Sequence, residues 1–310
     1  MTGAPDALGL RMHGLIEELF PVCRSITGDG LRETLRRVQR DVPVVLREIP
    51  SGTAVLDWTV PPEWNIRDGY VALGGERIVD FRVSNLHVVN YSTPVRRRMT
   101  LAELRPHLFS LPEHPDWIPY RTSYWNEGWG FCLRHRQLES LREGDYEVCI
   151  DSTLAPGSLS YGELLVPGAS TDEVLISCHV CHPSLANDNL SALAVAVEAA
   201  RWVMSESRGL SYRFLFIPGT IGSIAWLAHN EAGLGRIRHG LVLSCLGDPG
   251  PMTYKRSRRG NAVIDRAAAH VLGSTGLGER VRTFVPYGYD ERQYCSPGFD
   301  LPVGCLTRTP

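Results

Sequence analysis

Near the start of the chain, apolar residues recur at helical spacing. Leu10, Met12, Leu15, Ile16, Leu19 and Phe20 make one stripe, which predicts an amphipathic helix. Ser25-Ile26-Thr27-Gly28-Asp29-Gly30 interrupts it, and residues 31–38 resume a helix. Val44-Val45-Leu46, just after Pro43, begins the first strand. From about residue 50 to 145 the texture changes to short alternating runs, such as Tyr70-Val71-Ala72-Leu73 and Leu86-His87-Val88-Val89, broken by prolines and carrying Trp58, Trp64, Trp117, Trp125 and Trp129. This predicts a mostly β insert with a short helix at 101–105, stopped by Pro106. Strands follow at 146–151 and 162–166.

Beyond residue 170, short apolar runs alternate with longer helical stretches. Strands are predicted at 173–178, 212–217 and 240–244, and helices at 190–204, 224–229 and 262–272. Strands that alternate with helices form a largely parallel sheet covered on both faces. The domain reading is an α/β core made of residues 1–50 and 146–310, interrupted by a β-rich insert at 51–145.

Composition narrows this picture. The 310 residues are 43% hydrophobic and 21% charged, with net charge −2, so no overall basic field points to nucleic acid or an anionic membrane. The basic runs Arg96-Arg97-Arg98 and 255–259 read as solvated loops. No apolar run reaches the roughly 18–20 residues of a membrane span, and the N-terminus has no signal-peptide pattern. Eight cysteines are too few for a disulfide scaffold in a chain this long, so a cytoplasmic location is expected, and assembly into a homo-oligomer is left open.

The richest chemistry lies in Cys178-His179-Val180-Cys181-His182, followed by Asn187-Asp188-Asn189. This loop follows a buried strand and precedes a helix, where open α/β sheets place their sites. It reads three ways. Imidazoles and a carboxylate make a zinc site; Asn187-Asp188-Asn189 makes a helix cap; or Cys178 and Cys181 make a redox pair. The turn at 23–30 reads as a structural connection rather than a phosphate loop. The tryptophans read as the core of a small β domain or as a surface that binds sugar or peptide. No Gly-x-Ser-x-Gly elbow is present, which disfavours a serine hydrolase.

The loop resembles that of a bacterial aminopeptidase-like family, related to the co-catalytic zinc aminopeptidases and more distantly to glutaminyl cyclases. Further segments resemble the same family, among them residues 57–66 and 85–92, Ile118-Pro119-Tyr120, residues 129–132 and 158–163, Thr220-Ile221-Gly222-Ser223-Ile224, and residues 289–298. The resemblance implies an aminopeptidase-like (phosphorylase/hydrolase-like) α/β fold with a mixed, mostly parallel sheet, and a peptide or small amide substrate. It implies one or two zinc ions held by His182 and Asp188, with His179 as a second candidate histidine. Asp290, Gln293 and Tyr294 are implied to line the substrate site.

This chain departs from the pattern in two places. Where the family carries Pro-Glu-Thr-Ile-Gly, it has Pro218-Gly219-Thr220-Ile221-Gly222. The glutamate of that motif is implied to be the general base, and glycine cannot accept a proton; Glu291 is the nearest substitute. The resemblance also implies a His-Thr-Ser segment, with another metal ligand, beyond Leu306-Thr307-Arg308-Thr309-Pro310. Ser244, Cys245 and Asp248 stand near a position where related enzymes carry a carboxylate ligand, which points to one metal rather than two. Two functions follow: a zinc-dependent hydrolase of peptide or amide bonds, impaired at Gly219, or an inactive descendant that binds or scaffolds in a biosynthetic pathway.

Overall fold

The structure is a computed structural model and describes residues 7–275 and 280–308. The chain opens with helices α1 (Ala7–Leu19) and α2 (Asp29–Gln39) and strand β1 (Val45–Pro50). The apolar stripe of α1 is narrower than the sequence predicts. Leu15 and Leu19 are buried, whereas Leu10 and Phe20 are exposed, because α1 packs edge-on against a later helix. In α2 the buried positions Leu31, Thr34, Leu35 and Val38 follow helical spacing onto the sheet.

The insert contributes β2 (Glu63–Leu73), β3 (Glu76–Asp80) and β4 (Val95–Thr100), which with β5 (Asp145–Ala155) form an antiparallel sheet in the order β3–β2–β5–β4. Tyr146, Val148 and Ile150 alternate inward and join Val71, Met99 and Phe131 in the insert's own core. Strand β5, which follows the expected boundary at 145, pairs along Asp145–Ala155 with strands of the 51–145 segment. Both faces of β5 are covered over part of its length, so its apolar content resembles that of a core strand.

The main sheet adds β6 (Ser158–Val166), β7 (Glu173–His179), β8 (Ser211–Ile217), β9 (Ile237–Leu243), β10 (Thr253–Lys255), β11 (Arg280–Arg282) and β12 (Val303–Thr307). Its order is β1–β6–β8–β7–β9–β12–β10–β11. The central four, β8, β7, β9 and β12, are parallel, and the flanking pairings of β1, β6 and β10 are antiparallel. Helices α3 (Ala192–Met204), α4 (Ile221–Asn230) and α5 (Val263–Thr275) cover the sheet, and a short α6 (Asp290–Tyr294) packs against α4. Two apolar cores result, one on each face: Val197, Phe214 and Phe216 sit in one, and Leu215, Ile217 and Trp226 in the other. That alternation along β8 is the signature of a strand buried on both sides.

The basic runs are more structured than the sequence suggests. Lys255 closes β10 and forms an ion pair with Glu291, and Arg258 and Arg259 pair with Asp300. No helix among the described residues is long and apolar enough to cross a membrane.

Candidate metal centre

Parallel strands place their carboxyl ends on one edge of the sheet, where loops and helix starts meet. His179 is the last residue of β7, and its side chain is fully buried. The chain then turns through His182 and Ser184 and re-enters through an irregular helical turn, Ala186–Ser191, before α3. The kink lies at Asp188 and Asn189, whose backbone angles are not helical, and the peptide between them is cis. This turn brings Asp188 back over the end of β7. His179, His182 and Asp188 converge, with one potential ligand atom from each within 4.8 Å of the others, and they are the only such group among the described residues.

His179 Nε2 lies 2.6 Å from Asp188 Oδ1. Burial pushes the Asp188 carboxyl up, but the hydrogen bond and charge of His179, helped by His182 and Tyr289, outweigh burial and hold it below the usual carboxylate range. Burial first, then His179 and Arg24, hold His182 down to about 3. Near neutral pH the cluster therefore presents an ionised carboxylate and a neutral imidazole at His182, the forms that ligate metals.

Neighbouring side chains fix the cluster in place. The Tyr289 ring stacks on His179 at 4.4 Å, and its hydroxyl donates to Asp188 Oδ2 at 3.2 Å. Tyr120 of the insert lies 5.0 Å from the His182 ring. Arg24 is fully buried and donates through Nε to the His182 carbonyl and through Nη1 to the Leu19 carbonyl. The Asn189 amide is oriented by a bond from the Cys245 N–H to Oδ1 and by donation from Nδ2 to the His179 and Leu243 carbonyls. Its Nδ2 also faces His179 Nδ1 at 3.2 Å. A cation held by His179 Nε2 and Asp188 would take the place of the hydrogen bond between them. Arg24, Tyr120 and Tyr289 are not candidate metal-site residues in the sequence, and Asn189 stands there only as part of a possible helix cap. Tyr120 and Tyr289 lie inside motifs quoted for the resemblance, but Arg24 carried no signal, since 158 residues separate it from His182.

The donor set fits one zinc ion: two imidazoles and one carboxylate match the three protein ligands of a catalytic zinc. Among the described residues no second set is gathered. The Cys245 thiol borders Asp188 and burial pushes it up to about 11, Ser244 is buried, and Asp248 is bonded to Asn187.

The expected proton acceptor is not at the cluster. A side-chain Cβ placed on Gly219 would sit 3.4 Å from His179 Cβ and 3.7 Å from Cys181 Sγ, an ordinary contact distance, so this position faces the cluster and is bare. Glu291, the expected substitute, is buried and held by Lys255 at 2.6 Å. Gly288, at φ +127°, lets the chain pass this carboxylate; a Cβ there would lie 2.2 Å from Glu291 Oε1. Asp290 is also fully buried and accepts from the Thr220 N–H at 2.7 Å and the Ser223 hydroxyl at 2.9 Å. Burial pushes its carboxyl up to about 6. Tyr294 is a core residue, bonded to Ser177 and packed on Trp226, and Gln293 is half-buried on α6. Asp290, Glu291 and Tyr294 on α6 are thus all buried, and Glu291 borders a cavity of about 680 Å³ that Tyr289 and Cys245 also line. Cys178 and Cys181 are free and lie in different cores on opposite faces of the sheet, which removes the redox reading.

Comparisons agree with this geometry. A family model described as a domain of unknown function, DUF4910, matches residues 13–310. The chain is 49% identical, over 97% of its length and 70% of the other's, to a Clostridium acetobutylicum protein named as a candidate polysaccharide biosynthesis protein with an aminopeptidase-like domain. The crystal structure of a candidate peptidase from Clostridium acetobutylicum has TM-score 0.95 and 49% identity, over 96% of this chain and 71% of that one. A zinc aminopeptidase from Bacillus subtilis shares the fold, with TM-score 0.64 at 14% identity over 96% of this chain and 84% of that one. With the sheet order, the insert and the match all in place, the chain belongs to the DUF4910 family and has an aminopeptidase-like α/β fold.

Proposed function

We propose that this protein is a zinc-dependent hydrolase of peptide or amide bonds, slowed by the absence of a carboxylate at position 219. The convergence of His179, His182 and Asp188 at the carboxyl end of β7 carries this reading. When bound, zinc would supply Lewis-acid polarisation of a carbonyl and a water of lowered pKa. The chain's own contribution is to hold the donors. Asp188 stays ionised through His179 and Tyr289, His182 stays neutral through burial, and Arg24 anchors the loop through the His182 carbonyl. Tyr120 and Tyr289 wall the cluster with aromatic surface, which limits water around a bound substrate. No carboxylate stands at Gly219 to take a proton, and that step typically contributes about 10²–10⁴ in rate.

The same observation favours a second reading, a binding protein that retains the metal without turnover. In that reading the relative's name, which mentions polysaccharide biosynthesis, supports a role in such a pathway. One experiment tests the first and separates the two. Zinc content of dialysed protein is measured, and hydrolysis of aminoacyl-p-nitroanilides is followed in the wild type and in Gly219→Glu. Stoichiometric zinc with slow wild-type turnover that rises in the variant supports the hydrolase. Zinc without turnover in either protein supports the binding role, and no zinc at all overturns both.

A further inference from the structure

The insert contains a cavity of about 720 Å³, bordered by β3, the 83–87 turn, residues 116–118 and a short helix, His135–Glu139. That is within the roughly 300–1,000 Å³ of small-molecule sites. Its arginines are unevenly paired, and Arg82 shares Asp68 with Arg77. Arg77 is neutralised by Asp68 at 2.8 Å and Asp80 at 3.0 Å, and Arg136 by Asp116 at 2.9 Å. Arg134 lines the same cavity, and among the described residues no acidic side chain pairs with it. An arginine fork without a carboxylate, facing a cavity, is suited to bidentate capture of an oxyanion.

His87 supplies the second observation. Only 6% of it is exposed, and it lines the cavity. Its Nδ1 lies 2.7 Å from the Cys132 carbonyl, so Nδ1 carries the proton and donates. Nε2 is then a lone-pair acceptor with no hydrogen-bond partner among the described residues, on a side chain that lines the cavity. Burial, with the nearby Arg134, keeps this imidazole neutral. An acceptor next to an unpaired cation calls for a ligand with a hydroxyl donor beside an anionic group. Val83, 80% exposed, and Ile118 add an aliphatic wall that suits the C–H face of a saturated ring.

We propose that this insert cavity binds an anionic, polyhydroxylated ring, a sugar acid or a sugar phosphate. Its oxyanion sits on Arg134 and a ring hydroxyl donates to His87 Nε2. The site is separate from the zinc cluster in its residues, although Ile118 stands two residues before Tyr120 and so ties the cavity wall to the insert segment that packs on His182.

The test is calorimetric titration of the whole chain with D-glucuronate and D-glucose 6-phosphate, with D-glucose and inorganic phosphate as controls. At least one anionic sugar is expected to bind with a millimolar Kd or better, and the tighter of the two identifies the source. Arg134→Gln is expected to weaken that sugar more than tenfold, and Arg134→Lys to recover part of the loss. Ile118→Trp, which fills the cavity without touching the cation, is expected to abolish binding and guards against a misfolded first variant. The proposal is overturned if neither anionic sugar binds the wild type, if Arg134→Gln binds as the wild type does, or if inorganic phosphate binds as tightly as glucose 6-phosphate.

Discussion

Adjacent strands β7 and β8 end side by side on the same edge of the sheet, yet they are equipped very differently. The end of β7 carries His179, and the loop after it returns His182 and Asp188 to the same point, with Tyr289, Asn189 and Arg24 bracing them. The end of β8 carries Pro218 and then Gly219, with nothing projecting toward that cluster. Glu291, the nearest acidic candidate, is drawn away by Lys255, and Asp290 is spent on the first turn of α4 through Thr220 and Ser223. On the proposed reading, holding a metal and moving a proton are separable. The candidate ligands are tied into the packing of the loop, whereas a base at position 219 would project from a single position with few neighbours.

The largest effect should come from filling the bare end. Gly219→Glu is expected to raise aminoacyl-p-nitroanilide turnover by about 10²–10⁴-fold, read as kcat at saturating zinc. A Cβ at position 219 makes only ordinary contacts. An unchanged kcat with normal zinc content would show that the two strand ends do not cooperate.

Next comes the equipped end. Asp188→Ala is expected to lower zinc affinity by more than about 100-fold, beyond what loss of an outer-shell partner causes, measured by competition with a chelating dye. Retention of wild-type affinity would remove Asp188 from the ligand set.

Asp290 tests the buried acid beside the bare end. Its folded pKa, about 6, is above the ordinary value of 3.8, so the folded state holds the proton more tightly than the unfolded state. The stability this provides is present at low pH and is lost as pH rises through about 6. The difference in stability between the wild type and Asp290→Asn should therefore shift by about 2 kcal/mol between pH 4 and pH 7, with the variant gaining relative to the wild type at the higher pH. Urea unfolding at both pH values measures it, and a pH-independent difference would mean that Asp290 is already ionised.

The smallest effect belongs to Tyr289. Phenylalanine keeps the ring stack on His179 and removes only the bond to Asp188, so zinc affinity should fall about tenfold, as for an outer-shell partner. A larger fall in Tyr289→Phe than in Asp188→Ala would invert the assignment of direct and supporting roles.

Much of the fold was readable from local pattern. The three predicted strands after residue 170 match β7, β8 and β9 closely, because a buried parallel strand is a short apolar run and the helices between them carry helical periodicity. The insert was visible in its proline-rich, alternating texture, but the pairing of β5 was not: β5 reads as apolar as a core strand, and only the structure pairs it with β2 and β4. The site divides the same way. His179, His182 and Asp188 fall within a dozen residues, so their convergence required only a strand, a turn and a helix start. Arg24 under His182, Tyr289 on His179, Lys255 on Glu291, and His87 beside Arg134 in the insert cavity join segments far apart in the chain.

The sequence alone therefore determined the strand–helix alternation, the insert's texture and the residues of the metal loop, since each depends on neighbours within a few residues. Only the tertiary structure decided which way α6 faces, and with it that Asp290, Glu291 and Tyr294 are buried. A helix of five residues has too little periodicity to choose its own buried face; Trp226, Lys255 and Ser177, brought in by β7, α4 and β10, choose it instead.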